Sequence, residues 1–169
     1  FDNDSSGWFP KAFSSYSVSI DGQINFTVDN SYTALPFVWT CDKCGPFSNY
    51  LMQVDITTPS GVGNVLAGVL FGSPSQLDKT FQYSYALLLD SSGAVYLRKL
   101  SAAGDKIILL LDKRNDIIAP DGKPRTVQII GFGKYLSVYI NGNNIISLQE
   151  LEDTTDGYIG VVVSTAGNT

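Results

Sequence analysis

Histidine is absent from this 169-residue sequence, and charged residues make up only 16% of it. Without histidine, the chain cannot contain a Ser-His-Asp or Cys-His nucleophile system or a histidine-ligated metal. The 11 basic residues face 16 acidic ones, for a net charge of −5, and they cluster only in two short groups. Because a phosphate-binding stripe of Lys and Arg is missing, we expect no nucleic-acid partner.

Long apolar runs are also missing. The longest, at residues 107–111, has the length of a strand and falls far short of the roughly 20 residues of a transmembrane helix. With few charges, the surface must be covered by Ser, Thr, Asn, Gln and Gly, which is typical of secreted β-proteins. We therefore expect an extracellular or cell-surface protein, and the first residue, Phe1, indicates a processed or trimmed chain. The length fits one domain over residues 1–169.

Strict alternation of apolar and polar residues predicts β-strands at residues 51–57 and 134–140. Asn141-Gly142 predicts a hairpin after the second of these, because both residues tolerate positive φ. A second hairpin is predicted at residues 90–93, and one helical turn at residues 75–79. Further strands are predicted at residues 15–20, 24–28, 35–39, 65–71, 83–89, 94–100, 107–111, 126–132 and 158–164. This pattern predicts an all-β sandwich or barrel.

Cys41 and Cys44 are the only cysteines, and they form a C-x-x-C motif followed by Gly45-Pro46. Two cysteines supply half of a four-ligand zinc site, and the chain has no further Cys or His to complete it. Thioredoxin-like chemistry needs the motif at the start of a helix, whereas the surrounding sequence is β-rich. We predict a Cys41–Cys44 disulfide and no metal site within the chain, with a metal shared between subunits and a redox role as alternatives.

Acidic residues do not form a convincing site. Residues 2–7 resemble the first half of a calcium loop, but the loop's closing glutamate would fall on Phe13. Asp153 and Asp156 are equally ambiguous, so we predict no cofactor and leave calcium open. A glycosidase needs two carboxylates about 5 to 10 Å apart across a cleft, and no predicted strand offers such a pair. Because Asp55 stands alone on its strand, we expect no catalytic activity.

Recognition chemistry remains. Gln53 and Asp55 alternate with apolar residues on one strand, and neighbouring strands could add further polar and aromatic side chains. We predict one shared concave surface, suited to a glycan, formed by Gln53, Asp55, Tyr83, Tyr85, Tyr96 and Arg98. In that arrangement a bulge must separate Tyr83 and Tyr85 from Leu87 and Leu89, which share their parity. Alternatively, the tyrosines simply cover half-exposed sheet faces.

Five segments occur in a characteristic order along nearly the whole chain: residues 50–57, 68–71, 83–88, 134–143 and 157–163. Together they resemble the concanavalin A-like, laminin-G-like jelly-roll superfamily, and the strand-hairpin at 134–143 followed by Gly-Tyr-Ile-Gly-Val is the most telling of them. The resemblance implies two curved antiparallel sheets with a concave face that often binds glycans, frequently with calcium. Family 16 glycoside hydrolases of this superfamily carry Glu-x-Asp-x-x-Glu, whereas Gln53 to Thr58 keeps only the central Asp55.

Members of this superfamily usually continue past the segment at 157–165 into a last strand, and this chain ends at Thr169. We therefore expect either a trimmed chain or a closing strand supplied from elsewhere, through an open sheet edge. The sequence predicts a non-catalytic extracytoplasmic binding module for a carbohydrate or protein ligand. Two alternatives are a subunit of a surface assembly or filament completed by strand donation, giving a homo-oligomer, and, more weakly, a glycoside hydrolase-like enzyme.

Overall fold

A computed structural model describes residues 11–12, 16–20, 24–28, 37–41, 43–58, 65–73, 83–101, 107–114, 122–149, 151 and 156–165. Over these ranges the regular elements are all β-strands. The thirteen strands are β1 (Lys11–Ala12), β2 (Tyr16–Ile20), β3 (Ile24–Val28), β4 (Phe37–Thr40), β5 (Tyr50–Ile56), β6 (Val65–Ser73), β7 (Tyr83–Asp90), β8 (Val95–Ser101), β9 (Ile107–Arg114), β10 (Arg125–Phe132), β11 (Tyr135–Ile140), β12 (Asn143–Leu148) and β13 (Tyr158–Thr165).

The strands form three antiparallel sheets. A six-stranded sheet has the order β4-β13-β6-β7-β8-β9, a four-stranded sheet has the order β12-β11-β10-β5, and β1, β2 and β3 form a small third sheet. Each strand predicted from the sequence is found at nearly the predicted position, so the all-β prediction is confirmed. Only β1, and β12 as the second arm of the predicted hairpin, were not named in advance.

One apolar core joins the two larger sheets face to face. From the four-stranded sheet it takes every second residue of β5, β10 and β11, including Val127, Ile129 and Val138, and from the six-stranded sheet it takes Phe71 and Leu87 among others. The far side of the six-stranded sheet is also buried. Its side chains form a second apolar cluster of Leu66, Leu70, Ala86, Leu88 and Val162. Over β13, β6 and β7 the six-stranded sheet is therefore covered on both faces, as their apolar sequences require.

The hairpin between β11 and β12 turns at Asn141 and Gly142, which have φ values of 50° and 79°. Both residues therefore adopt the left-handed conformation that the Asn-Gly pair predicts. Asn141 also connects the turn to β10. Its backbone N–H donates to the Thr126 carbonyl (2.8 Å), and its side-chain Oδ1 accepts from the Thr126 backbone N–H (3.0 Å). The turn thus fixes how β11 lies on β10.

The predicted disulfide between Cys41 and Cys44 is present. It closes the segment that leaves β4, at the edge of the six-stranded sheet, and leads to β5, at the edge of the four-stranded sheet. The Cys41 amide donates to the Ile159 carbonyl (3.0 Å), and Phe47 and Gly157 exchange two backbone hydrogen bonds of 2.7 and 2.9 Å. The disulfide segment is therefore fastened to the start of β13 while it crosses between the sheets.

Arg125 links the two large sheets at one end of the sandwich. It begins β10, is only 3% exposed, and its Nη2 donates to the Thr58 hydroxyl (2.7 Å) and to the Asp90 carbonyl (2.6 Å). Thr58 follows β5, whereas Asp90 ends β7 in the opposite sheet. The Asp90 carboxylate also accepts from the Ala94 amide (2.7 Å), which closes the predicted β7–β8 turn. One guanidinium therefore connects three strand ends.

Some predictions lie outside the described residues: the calcium-loop-like segment at 2–7 with Phe13, the helical turn at 75–79, and Asp153. Within the described ranges, His, Cys, Asp and Glu do not form a group of three or more that could hold a metal ion. Those ranges also contain no helix of the length and apolarity needed to span a membrane.

Gly68, in the middle of β6, is a position where no other residue fits. A Cβ there would overlap the Leu87 carbonyl oxygen and lie 2.9 Å from the Leu88 Cα, and backbone atoms cannot move aside. We expect Gly68→Ala to lower the free energy of unfolding by about 3 kcal/mol or more, measured by urea denaturation. Gly142→Ala is the control, since the space around it is open and only its φ is unfavourable, at about 1–2 kcal/mol. Equal losses would contradict the overlap.

Replacing Arg125 by methionine keeps the buried aliphatic stem but removes both hydrogen bonds of Nη2. We expect a loss of about 3 kcal/mol in the free energy of unfolding, because each hydrogen bond from a charged donor contributes about 1.5–3 kcal/mol. Thr58→Val removes only one of the two hydrogen bonds of Nη2 and should cost about 1.5 kcal/mol. Urea unfolding of both variants checks the order, and an Arg125→Met protein as stable as the parent would show that the link is dispensable.

Candidate functional site

The outer side of the four-stranded sheet carries exposed side chains from β5, β10 and β12. We call it the open face; its side chains alternate with those that enter the core. It consists of Leu51, Gln53 and Asp55 on β5, Thr126, Gln128, Ile130 and Phe132 on β10, Tyr135, Ser137 and Tyr139 on β11, and Asn144 and Ser147 on β12.

Strand register arranges the open face in four rows across the sheet. The rows are Asp55–Thr126, Gln53–Gln128–Tyr139–Asn144, Leu51–Ile130–Ser137–Ser147 and Phe132–Tyr135. The first two rows carry polar groups and one aromatic ring, and they lie toward the Asn141 turn. The last two carry the aliphatic and aromatic groups, with hydroxyls on β11 and β12. The open face therefore changes from polar to apolar along the strands.

Two cross-strand hydrogen bonds order the polar rows. The Thr126 hydroxyl donates to Asp55 Oδ1 (2.6 Å), and Gln128 Nε2 donates to Gln53 Oε1 (3.0 Å). These bonds fix the orientation of both pairs while leaving the Gln53 amide N–H groups, the Gln128 carbonyl oxygen and the second Asp55 oxygen for a ligand. The polar rows thus present both donors and acceptors in fixed positions.

The apolar rows expose two large side chains to solvent. Leu51 is 65% exposed and Phe132 is 64% exposed, and Ile130 lies half-buried between them on the sheet. Tyr135 stands directly opposite Phe132 on the neighbouring strand. An exposed aromatic ring beside aliphatic groups offers a flat apolar surface next to the polar rows.

A chain of side-chain hydrogen bonds crosses from β11 to β12. The hydroxyls of Tyr135 and Ser137 are 2.9 Å apart, Ser137 is hydrogen-bonded to Ser147, and Asn144 Nδ2 donates to the Ser147 oxygen (3.1 Å). Hydrogen bonding by Ser137, and then by Ser147, lowers the pKa of Tyr135 below its usual 10.0, because both favour the phenolate. These hydroxyls hold the tyrosine in one orientation at the apolar end.

The open face offers groups that can recognise a ligand. Its described side chains include amides, hydroxyls, aromatic rings and a single carboxylate, that of Asp55. Acid–base hydrolysis of a glycosidic bond needs two carboxyl groups that flank it. The arrangement is therefore suited to holding a ligand with many hydroxyl groups and apolar faces.

Gln53 and Asp55 lie together on the open face, as predicted, but the structure does not bring the other predicted residues to them. Tyr85 is 1% exposed in the inter-sheet core, where it stacks on Phe71 at 5.7 Å between ring centroids. The pairing of β7 with β8 is continuous, without the bulge that the prediction required, so Tyr85 faces the same way as Leu87. Tyr85 lies in the core because burying its large aromatic ring removes apolar surface from water.

Tyr96 and Arg98 lie on the far side of the six-stranded sheet, away from the open face. Tyr96 packs against the second apolar cluster, and Arg98, 2% exposed, has its guanidinium 5.4 Å from the Tyr96 ring centroid. Tyr83 belongs to β7, and its side chain lies outside the described part. The prediction that Tyr85, Tyr96 and Arg98 share one concave surface with Gln53 and Asp55 is wrong, and whether any of the six binds a ligand stays a prediction.

Sequence reasoning missed Thr126, Gln128, Phe132 and Asn144. Alternation within the predicted strand at 126–132 was a usable signal for the first three, since it places them opposite the core residues of the same strand. What the sequence did not give is the pairing of β10 with β5, which joins residues about 75 positions apart. Without that pairing, β7 and β8 seemed the natural neighbours of Gln53 and Asp55.

Comparison with known proteins identifies the fold. No protein-family profile and no curated protein matches the sequence. Among solved structures, carbohydrate-binding module CBM66 from Bacillus subtilis has a TM-score of 0.59 at 16% identity, covering 76% of this chain and 77% of its own. A family 16 glycoside hydrolase of the mixed-linkage glucan locus of Bacteroides ovatus, in complex with an oligosaccharide product, has a TM-score of 0.61 at 12% identity, covering 90% and 74%. The sandwich is therefore a concanavalin A-like jelly roll, as the sequence resemblance implied.

The hydroxyl chain can be tested through the ionisation of Tyr135. We expect Ser137→Ala to raise the Tyr135 pKa back toward 10.0, because the largest cause of its lowering is removed. An NMR titration with carbon-labelled tyrosine follows the individual ring. Ser92→Ala serves as the control, since that hydroxyl bonds Asp90 in a different turn. If the Tyr135 titration is the same in both variants, Ser137 does not hold the phenol.

Proposed function

We propose that this concanavalin A-like domain is a carbohydrate-binding module that holds a glycan on the open face without hydrolysing it. The observation that carries the proposal is the ordered Gln53–Gln128 pair beside exposed apolar side chains, Leu51 and Phe132. The rest of the open face extends this combination over four rows of residues.

Sugar chemistry matches this combination. A pyranose ring has apolar C–H faces that stack on aromatic rings, and hydroxyls that need donors and acceptors at fixed positions. Gln53 and Gln128 supply an amide donor and a carbonyl acceptor from a pair that is already ordered, so binding loses little side-chain entropy. Phe132 and Tyr135 supply rings at the apolar end.

Binding without hydrolysis rests on the acid inventory of the open face. Asp55 is the single carboxylate among its described side chains, and one of its oxygens already accepts from Thr126. A retaining or inverting mechanism requires a second carboxyl group on the other side of the bond. Asp55 is therefore assigned to hydrogen bonding with sugar hydroxyls.

The similar structures support the choice of ligand class. One is a carbohydrate-binding module, and another is an enzyme in complex with an oligosaccharide product. At 16% and 12% identity, these similarities are evidence for the fold only. The proposed ligand class therefore rests on the residues of the open face. We propose an extracellular or cell-surface location, because a polysaccharide-binding protein would encounter its ligand there. The Cys41–Cys44 disulfide also suits an oxidising compartment.

Binding can be measured on immobilised neutral polysaccharides, followed by calorimetry with the oligosaccharide that binds best. We expect Phe132→Ala and Gln128→Ala each to weaken binding about tenfold, which corresponds to about 1.4 kcal/mol. Both side chains project from the sheet, so the free energy of unfolding should change by less than about 0.5 kcal/mol. Phe47→Ala is the matched control, because Phe47 is an exposed phenylalanine that pairs with Gly157 beside β13 and is not part of the four-stranded sheet.

Two further measurements accompany the titration. Incubation with the bound polysaccharide should release no new reducing ends, and release would identify an enzyme. Sedimentation velocity with and without ligand tests whether Leu51 and Phe132 instead bury themselves against a second copy of the chain or another protein. Loss of binding in Phe47→Ala with no effect of Phe132→Ala would place the site elsewhere, and a chain that binds no polysaccharide would rule out the proposal.

A further inference from the structure

We infer, resting on the proposed function, that the open face selects neutral glycans and rejects those that carry carboxylate or sulfate groups. The proposed function requires only that a glycan bind. The inference adds which chemical class of glycan the face can accommodate, and it follows from the charges on β5, β10, β11 and β12.

Those four strands carry very few ionised groups. Arg125 is their only basic residue, and it enters the core from β10, where Thr58 and Asp90 accept its hydrogen bonds. Asp55 is their only acidic residue, and it stands on the open face. Lys134 lies in the β10–β11 turn, past the last row, and is not part of the four rows. The rows therefore offer no cation to an anionic sugar.

Anionic polysaccharides are bound in proteins by Arg and Lys, which supply charge-assisted or bidentate hydrogen bonds. An uncompensated carboxylate or sulfate placed on the open face would lose water and gain only amide and hydroxyl partners. It would also meet the Asp55 carboxylate, and like charges brought together at an interface oppose binding. The chain's net charge of −5 adds long-range repulsion of an anionic polymer.

Neutral hydroxyls meet none of these penalties. The Asp55 carboxylate accepts a sugar hydroxyl as well as the Thr126 hydroxyl, and the Gln53 and Gln128 amides each donate or accept without a charge to balance. Asp55 thus has two effects: it accepts strong hydrogen bonds from sugar hydroxyl groups, and it repels the carboxylate or sulfate groups of anionic glycans.

The test uses a panel of neutral and natively anionic polysaccharides, together with the carboxymethyl derivative of whichever neutral polymer binds best. Because the backbone and length are matched, only the added carboxylates differ. We expect the derivative to bind at least about tenfold more weakly at low ionic strength, and the difference to shrink as salt screens the charges. Asp55→Asn keeps the oxygen that accepts from Thr126 and should narrow the difference.

Gln128→Lys, in the centre of the polar rows, is the converse variant. It places an ammonium beside Gln53 and Tyr139, and we expect it to favour the carboxymethyl derivative over the neutral polymer. Ser92→Lys, at an exposed position in the turn between β7 and β8 of the other sheet, controls for the change in net charge and should leave the preference of the parent unaltered.

The outcomes separate the inference from the function on which it rests. Equal or tighter binding of the carboxymethyl derivative by the parent chain, or binding only to natively anionic polysaccharides, overturns the inference and keeps the carbohydrate-binding function. Failure to bind every polysaccharide in the panel removes the function itself. If Gln128→Lys prefers the neutral polymer as strongly as the parent chain does, the open face is not what discriminates against anionic glycans.

Discussion

The buried hydrogen bonds of Arg125 are the constraint on which the geometry of the sandwich end depends. The guanidinium lies at the start of β10, next to the end of β5 and the turn between β7 and β8. It donates to Thr58, just after β5, and to Asp90, at the end of β7. Burying a cation is costly unless its donors are satisfied, so the Asp90 carbonyl and the Thr58 hydroxyl must stay in place. Because β5 and β10 are held in place at this end, the side chains that they contribute to the open face are also held at fixed distances from one another.

The two outer surfaces of the sandwich differ because their sheets differ. On the six-stranded sheet, Leu66, Leu70 and Leu88 are buried on the side away from the inter-sheet core, so both faces of its central strands are apolar. On the four-stranded sheet, the strands alternate, and the polar residues face outward. A cationic Arg98 under the Tyr96 ring can be accommodated in the first environment, whereas hydrated amides need the second. The polar groups that the proposed function requires therefore lie on the outer side of the four-stranded sheet.

The secondary structure could be predicted closely, because alternation and turn chemistry are local signals. Gln53 and Asp55 were placed outward for the same reason, and the Cys41–Cys44 disulfide followed from the lack of other ligands. The neighbours of Gln53 could not be predicted, since the β5–β10 pairing is set by packing of the whole sandwich. Tyr85 was misplaced because an aromatic residue suits a binding surface and a core equally well, and only burial against Phe71 distinguishes the two.

Strict alternation on β5, β10 and β11 separates the residues that fold the domain from the residues that can contact a ligand. Val54 and Val127 pack inward while Asp55 and Thr126, their immediate neighbours in sequence, meet solvent. Exchanging exposed side chains usually changes stability by less than about 0.5 kcal/mol. The surface can thus diversify over evolution, or be redesigned in the laboratory, one row at a time, while the same hydrophobic interior supports each new specificity.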